Sequence, residues 1–263
     1  MCRMTWNRGR GAASVVAMSE RLVLSPHPDD AVLSLWHVLS GPGEVTVVNV
    51  FAGVARAEAV GWWDRLTGAT DVATRAAERA AEDSGALALA GRRAIALDFV
   101  DAQYRDRRQP LEPIVERIEE FAKPGMLILG PAALGGHPDH RLTRDAALAL
   151  GRRGHDVALY ADVPHATCDG WPSWVTGSEA DGRKADARWR SRLSASGLAV
   201  ERLEPEVHRL DAEQEERKRA AVSCYRTQLG ALEAKFGLLT RPELLRYEVV
   251  WRLAGAPARS RLD

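Results

Sequence analysis

Short apolar runs that alternate with longer helical patterns constrain the fold of this chain more than any other feature of its sequence. The run at 45–51 is rich in valine, which is typical of a parallel strand that is buried on both faces. Strands that alternate with helices in this way predict a Rossmann-like α/β fold, in which helices cover a mostly parallel sheet. The predicted strands comprise residues 21–25, 45–51, 93–99, 126–129 and 157–161.

Helical patterns occupy most of the sequence between these strands. Asp71 is a suitable N-cap for the first of them. The predicted helices comprise residues 71–89, 111–122 and 139–150. Two segments, 52–70 and 164–197, do not continue the pattern, and their glycines and tryptophans predict long, ordered loops.

The last part of the chain predicts a smaller C-terminal β/α extension of the fold. Its predicted elements are a hairpin-like pair at 200–203 and 207–210, a helix from 211 to about 232, and a closing strand at 247–253. Residues 1–20 are expected to form a flexible N-terminal extension. Residues 21–263 are expected to form a single α/β domain, because no linker or repeat interrupts them.

Charge and composition exclude several classes of protein. The chain has 263 residues, with 36 basic and 36 acidic side chains, so no nucleic-acid partner is expected. We interpret its many arginines as codon bias rather than phosphate recognition. No apolar run reaches the length of about 18 residues that a transmembrane segment needs. The three cysteines are far apart and suit a reducing, cytoplasmic location, and nothing in the sequence indicates an oligomeric state.

The first chemical motif, Ser-Pro-His-Pro-Asp-Asp at residues 25–30, follows the first predicted strand. The carboxyl ends of strands in an open α/β sheet are where binding sites lie. If the chain turns helically after Pro28, His27 and Asp30 are three residues apart and can face one metal ion. Asp29 then remains a free carboxylate beside the metal, which is the arrangement that metal-assisted hydrolysis needs.

The second motif, Gly-Gly-His-Pro-Asp-His at residues 135–140, follows the fourth predicted strand and reaches the same edge of the sheet. One of its histidines, His137 or His140, can complete a set of two histidines and one carboxylate with the first motif. The other is then available to act on the substrate oxygen or on the leaving group. A simpler interpretation is that Asp29, Asp30 or Asp139 only caps a helix. Two such motifs at two strand ends make capping alone the weaker interpretation.

Together the two motifs resemble those of the LmbE-like, or PIG-L, family of zinc-dependent de-N-acetylases. The resemblance extends over about residues 20–253, including the segments around 75–87, 97–105 and 218–229. It implies that the metal is Zn²⁺ or another divalent ion, and that its ligands are His27, Asp30 and His140. It also implies that Asp29 is the general base, that His137 stabilises the oxyanion and protonates the amine, and that Asp139 orients His137. The first motif departs from the family at Ala31, where a glutamate is frequent.

Substrate-binding residues are predicted on weaker grounds. Arg75 and Asp101 match positions that the family uses near its substrate. Trp62 and Trp171 belong to the two long predicted loops, where flat aromatic faces suit a sugar or lipid-bearing ligand. His165 follows the fifth strand, but we expect it to lie outside the site.

The resemblance implies a metal-dependent hydrolase that removes the N-acetyl group from an N-acetylglucosaminyl unit. The expected partner is a small-molecule amino-sugar conjugate, such as a secondary metabolite. One alternative is an amidase that cleaves a low-molecular-weight thiol conjugate, because the catalytic core is the same for both. The other is a binding module without catalytic activity, which the intact set of polar residues disfavours.

Overall fold

A seven-stranded sheet forms the centre of the molecule in a computed structural model of the chain, which describes residues 20–56, 58–198 and 204–253. The strands are β1 (Arg21–Ser25), β2 (Val45–Asn49), β3 (Ala94–Ala96), β4 (Leu127–Pro131), β5 (Asp156–Tyr160), β6 (Glu204–Arg209) and β7 (Tyr247–Arg252). Their order in the sheet is β3-β2-β1-β4-β5-β7-β6. The first five are parallel, whereas β7 runs antiparallel to both β5 and β6.

Helices flank this sheet and connect its strands. They are α1 (Asp30–Ser34), α2 (Trp36–Leu39), α3 (Trp62–Leu66), α4 (Val72–Ala88), α5 (Glu112–Glu119), α6 (Pro138–Arg152), α7 (Ser173–Thr176), α8 (Glu179–Ala195), α9 (Ala212–Val222) and α10 (Arg226–Phe236). Short 3-10 helices add Ala102–Tyr104 and Pro242–Leu245. None of the helices in the described segments is long and apolar enough to cross a membrane.

The predicted α/β fold is confirmed, and each of the five predicted parallel strands overlaps an observed one. The buried valines of β2 show why: Val47 and Val48 are inaccessible to solvent, as expected for a strand covered on both faces. The predicted N-cap of α4 is also correct, since the Asp71 side chain accepts a hydrogen bond from the Thr74 amide at 2.7 Å. The β/α extension consists of β6, α9, α10 and β7.

Two predictions about the second half of the chain are wrong. Residues 164–197 are not a long loop, because they contain the 17-residue helix α8. Its buried residues Ala185, Trp189 and Leu193 are spaced four apart and form the apolar stripe of a surface helix. The predicted helix from 211 to about 232 is two helices, α9 and α10, which are separated by residues 223–225.

Some predictions fall outside the described residues. Residues 1–19 of the predicted N-terminal extension and the predicted strand at 200–203 belong to this group. The division of the chain into an extension and a single domain stays a prediction.

The connection between β1 and β4 determines where a site can form. β1 lies between β2 and β4 in the sheet, although two strands and five α-helices separate β1 from β4 along the chain. After β1 the chain continues toward β2, on one side of this pair of strands, and after β4 it continues toward β5, on the other side. This divergence opens a crevice at the carboxyl ends of β1 and β4. The residues that follow these two strands are the two sequence motifs.

Candidate functional site

The two motifs meet at the crevice between β1 and β4. The imidazole ring of His27 lies 5.1 Å from that of His137 and 5.5 Å from that of His140, measured between ring centroids. A cavity of about 390 Å³ opens over them. Of the predicted site residues, those that line this cavity are His27, Asp29, Asp30, Trp62, Asp101 and His137.

Local hydrogen bonds hold the first motif in a tight turn after β1. The hydroxyl of Ser25 donates to the carbonyl of His27 at 2.7 Å and accepts the amide of Ala31 at 3.0 Å. The carboxylate of Asp30 accepts the amide of His27 at 2.9 Å. These bonds join the end of the strand to the first turn of α1, so that the side chains of His27 and Asp30 stay on the same side of the turn.

Carboxylates fix the tautomers of two histidines. His140 Nδ1 lies 3.0 Å from Asp162 Oδ2, and His27 Nε2 lies 3.0 Å from Asp139 Oδ2. A carboxylate can only accept, so each of these ring nitrogens carries the proton. The remaining nitrogens, His140 Nε2 and His27 Nδ1, are free to act as metal ligands.

These two nitrogens converge on Asp30. Its Oδ2 atom lies 3.3 Å from His140 Nε2 and 3.3 Å from His27 Nδ1. His140 Nε2 is buried and has no hydrogen-bond partner among the described residues. A buried lone pair that faces a carboxylate is unfavourable unless a proton or a metal cation lies between them. The three donor atoms therefore fit a divalent metal ion, and two imidazoles with one carboxylate form a ligand set that zinc accepts.

The electrostatics of this cluster also favour positive charge. Burial lowers the pKa of His140, but the charges of Asp30 and Asp162 outweigh this effect and raise the pKa to about 9. Burial raises the pKa of Asp30, but His140 and His27 hold it well below the usual range. Without a metal, His140 therefore holds a proton on the Nε2 atom that faces Asp30.

His137 adds a third imidazole to the same group. Ligand atoms of His27, His137 and His140 lie within 4.8 Å of one another, as do those of His27, Asp101 and Asp139. However, His137 Nδ1 accepts the amide of Asp139 at 3.3 Å, because His137 is the N-cap of α6. Burial, together with the charges of His27 and His140, lowers the pKa of His137 to about 4. A neutral ring whose Nδ1 is an acceptor carries its proton on Nε2.

Asp29 occupies a strained position and has no capping role. Its φ angle is 130°, in a region that residues other than glycine rarely adopt. It is the N-cap residue of α1, yet its side chain makes no capping hydrogen bond. Burial and the charge of Asp30 raise its pKa to about 8, although Arg79 and His27 act in the opposite direction. A buried carboxylate with a raised pKa that lines a cavity is suited to accept a proton.

The structure corrects the predicted partner of Asp139. We predict from the sequence that Asp139 orients His137, but its carboxylate hydrogen-bonds to His27 instead. It also accepts the amide of Ala102 at 2.9 Å and forms an ion pair with Arg105. The contact between Asp139 and His137 is made by the backbone amide, because Pro138 and Asp139 begin a helix whose N-cap is His137.

Two of the four predicted substrate-binding residues do not line the cavity. Arg75 is buried against α3 and hydrogen-bonds to the hydroxyl and carbonyl of Thr67. Trp171 is only 3% exposed, packs against Trp189, and donates its indole N–H to the carbonyl of Leu244. Trp171 is therefore a core residue, and its burial contradicts the substrate-binding role predicted for it.

The other two predicted substrate-binding residues do face the cavity. Trp62 is 53% exposed at the rim, where its ring packs edge-on against Trp63. Asp101 Oδ2 lies 3.8 Å from His27 Nε2 and 3.6 Å from Arg79 Nη1. Asp101 thus lies between the histidine cluster and a buried cation.

Sequence reasoning missed Asp162 and Arg79, and its expectation that His165 lies outside the site is wrong. Asp162 orients His140, His165 lines the cavity with its ring 4.8 Å from that of His140, and Arg79 faces the cavity from α4. Asp162 and His165 follow the carboxyl end of β5, which is a detectable signal because β5 neighbours β4. Arg79 lies one helical turn after Arg75, so the two side chains share a face of α4. The prediction of Arg75 pointed to the correct face of this helix but to the wrong arginine.

Sequence and structure comparisons identify proteins that this chain resembles. The sequence profile described as "PIG-L: GlcNAc-PI de-N-acetylase" matches residues 22–150. The A40926 pseudoaglycone deacetylase Dbv21 is 30% identical with a TM-score of 0.67, over 89% of this chain and 96% of that chain. No curated protein sequence matches the chain.

Two further solved structures concern a teicoplanin deacetylase. A triple mutant of the deacetylase Orf2, from the teicoplanin biosynthetic pathway, is 26% identical with a TM-score of 0.69, over 91% of this chain and 99% of that chain. A zinc-inhibited form of teicoplanin deacetylase Orf2 is 25% identical with a TM-score of 0.64, over the same shares of the two chains. The chain belongs to the PIG-L, or LmbE-like, family of de-N-acetylases.

Proposed function

We propose that this protein is a metal-dependent deacetylase that hydrolyses the acetamide of an N-acetylglucosaminyl unit on a larger secondary metabolite. The observation that carries the proposal is the convergence of His27 Nδ1, Asp30 Oδ2 and His140 Nε2 beside Asp29, whose carboxylate makes no helix-capping hydrogen bond. The similarity to deacetylases of A40926 pseudoaglycone and of teicoplanin supports a glycosylated secondary metabolite as the substrate.

His27, Asp30 and His140 are the residues that would hold the metal. When bound, a divalent metal supplies a Lewis acid for the acetyl oxygen and lowers the pKa of water to about 7. Zn²⁺ suits two imidazoles and one carboxylate, and one of the similar solved structures is a zinc-inhibited form. Because zinc is linked to inhibition there, activity needs to be compared between Zn²⁺ and other divalent ions.

Asp29 and His137 perform the proton chemistry in this proposal. Asp29 accepts a proton from the attacking water, which its burial and raised pKa favour. His137 donates its Nε2 proton in a hydrogen bond to the acetyl oxygen as negative charge develops there. The family resemblance implies that His137 also protonates the amine. A neutral His137 whose Nδ1 is an acceptor leaves Asp29 as the better donor, so Asp29 passes its proton to the departing nitrogen.

The size and the rim of the cavity suit an amino sugar that is attached to a larger molecule, here called the carrier. A volume of about 390 Å³ lies within the usual range for small-molecule sites of about 300–1,000 Å³. Trp62 and Trp63 present aromatic faces at the entrance, and the Lys235 ammonium lies 5.4 Å from the ring of Trp62. We propose that the aromatic rim contacts the carrier while Asp101 and Arg79 face the sugar.

Mass spectrometry on candidate conjugates tests this function. The metal-loaded enzyme should remove one acetyl group from an N-acetylglucosaminyl conjugate and release acetate. Release of an intact N-acetylcysteine conjugate would instead support the thiol-conjugate amidase, and ligand binding without turnover would support a binding module. The cytoplasmic location that the cysteines suggest stays a prediction.

A further inference from the structure

A second cleft lies beside the catalytic cavity and is lined by arginines. It has a volume of about 910 Å³ and shares Ala102 and Pro138 with the catalytic cavity. Among the residues that the structure describes, six arginines but only one acidic residue, Asp145, line it. We call this cleft the arginine groove, and its arginines are Arg105, Arg107, Arg108, Arg141, Arg144 and Arg192.

Three of the six arginines are already paired with carboxylates. Arg105 pairs with Asp139, Arg144 with Asp145, and Arg192 with Asp169. The other three, Arg107, Arg108 and Arg141, are exposed, and no described acidic side chain lies within ion-pair distance of them. The groove therefore carries an unbalanced positive charge, although the whole chain is neutral.

Composition alone does not account for this arrangement. Codon bias, our interpretation of the many arginines in the sequence, gives no reason for them to collect in one place. Instead, the groove collects them from three separate segments: the loop at 105–108, the first turns of α6, and α8. Guanidinium groups from different segments that face one cleft can bind one oxyanion together, with paired and directional hydrogen bonds.

We infer that the arginine groove binds an oxyanion, a carboxylate or a phosphate, on the carrier of the conjugate whose amino sugar occupies the catalytic cavity. This inference rests on the proposed function for the sugar. The shared wall at Ala102 and Pro138 places the two ligand parts next to each other, so one molecule can span both clefts. Arg105 lines the groove and pairs with Asp139, whose carboxylate hydrogen-bonds to His27 in the catalytic cavity.

Calorimetric titration with matched glycosides tests the inference. The probes are N-acetylglucosaminides with aliphatic spacers of several lengths that end in a carboxylate, a phosphate, or a neutral carboxamide. For wild-type protein at low salt, we expect the best anionic probe to bind about tenfold more tightly than its carboxamide partner, with the preference reduced by added salt. Comparison of carboxylate with phosphate identifies which oxyanion fits.

Variants assign the preference to the groove. Replacement of Arg107 and Arg141 together by Gln should reduce the preference for the anionic probe to about twofold, because each exposed pair contributes modestly. Arg93→Gln is the matched control and should leave the preference unchanged. Arg93 is exposed at the amino end of β3, on the opposite edge of the sheet, and lines neither cleft. Arg108→Gln alone serves as the second variant if the double variant melts early.

The outcomes separate this inference from the proposed function. Equal binding of anionic and neutral probes at every spacer length, or a preference that survives in the double variant, overturns the arginine groove as an oxyanion site. Acetate release, measured in the same samples, reports on the sugar. An anion preference without acetate release from any probe contradicts the deacetylase function and leaves the groove intact.

Discussion

Glu248 on β7 and Asp30 at the start of α1 are both buried carboxylates, but their surroundings are opposite. Glu248 is fully buried and accepts four donors: Lys218 Nζ at 2.6 Å, the amide of Trp36 at 2.7 Å, and the amide and Nδ1 of His37. Asp30 is 3% exposed and faces His140 Nε2, which has no hydrogen-bond partner among the described residues. The chain itself satisfies the first carboxylate, whereas the second lies where we propose that a cation binds.

This difference separates stability from function. A fully satisfied buried network holds its elements in one arrangement, and here Glu248 joins β7 to the first turn of α2 and to α9. A cluster that leaves a buried donor atom unpaired contributes less to stability, and it persists because it prepares a binding site. Substitutions in the two clusters should therefore have different consequences, which the following experiments compare.

The largest effect is expected for Asp29→Asn. Asn tolerates positive φ about as well as Asp but cannot accept the proton of water at neutral pH. We expect acetate release to fall by roughly 10²- to 10⁴-fold, with metal content and melting temperature close to wild type. Turnover near the wild-type rate in a metal-replete variant would remove Asp29 from the mechanism.

The next largest effect is expected for Lys218→Met, and it concerns stability. Met removes the ammonium and leaves the carboxylate of Glu248 buried without its counter-charge. We expect a loss of about 3–5 kcal/mol in the free energy of unfolding, measured by urea titration. Lys184→Met, at an exposed position, is the matched control and should change stability little. A loss of activity at unchanged stability in Lys218→Met would contradict the division between the two clusters.

The pH dependence of stability offers a third comparison. Burial raises the pKa of Glu248, but Lys218 and His37 outweigh this and lower it to about 2 from the usual 4.5. A carboxylate whose pKa is lower in the folded state contributes stability above pH 4.5 and loses it as the pH falls toward 2. The contribution is on the order of 3 kcal/mol. In Glu248→Gln this part of the acid dependence should disappear. The free energy of unfolding is measured at several pH values from 7 to 2.5. If it falls with pH as steeply in the variant as in the wild type, the prediction is contradicted.

The smallest effect is expected for Asp162→Asn, which perturbs the catalytic cluster indirectly. Asp162 is buried and fixes His140 through Nδ1. Its replacement should weaken metal binding by about 10- to 100-fold, while saturating metal restores most of the activity. Competition with a chelator measures the affinity. An unchanged metal affinity would mean that the amide of Leu134, the other partner of Asp162, is the contact that matters.

Much of the site was predictable because its residues are contiguous in sequence. His27, Asp29 and Asp30 follow one strand, and His137 and His140 follow another, so the sheet order alone brings them together. Asp162 and His165 follow a third strand but stand in no motif, so their residue types alone did not distinguish them from surface residues. The hydrogen bond from His27 to Asp139 also could not be predicted, since it depends on the relative position of two turns.

The tryptophans show where residue type misleads. Trp62 and Trp171 both occur in glycine-containing segments that are predicted to be long loops, and the sequence predicts one role for both. In the structure Trp62 lies exposed at the cavity rim, whereas Trp171 is buried against Trp189 of α8. Because α8 was not predicted, neither was the apolar surface that covers Trp171.

Metal analysis of single-site variants tests the central claim most directly. Wild-type protein reconstituted with Zn²⁺ or another divalent ion should bind about one equivalent, measured by elemental mass spectrometry. We expect His27→Ala, Asp30→Ala and His140→Ala each to lose most of this metal, while His137→Ala retains it. Full metal content in all three ligand variants, or its loss in His137→Ala, would contradict the assignment of His27, Asp30 and His140 as the metal centre.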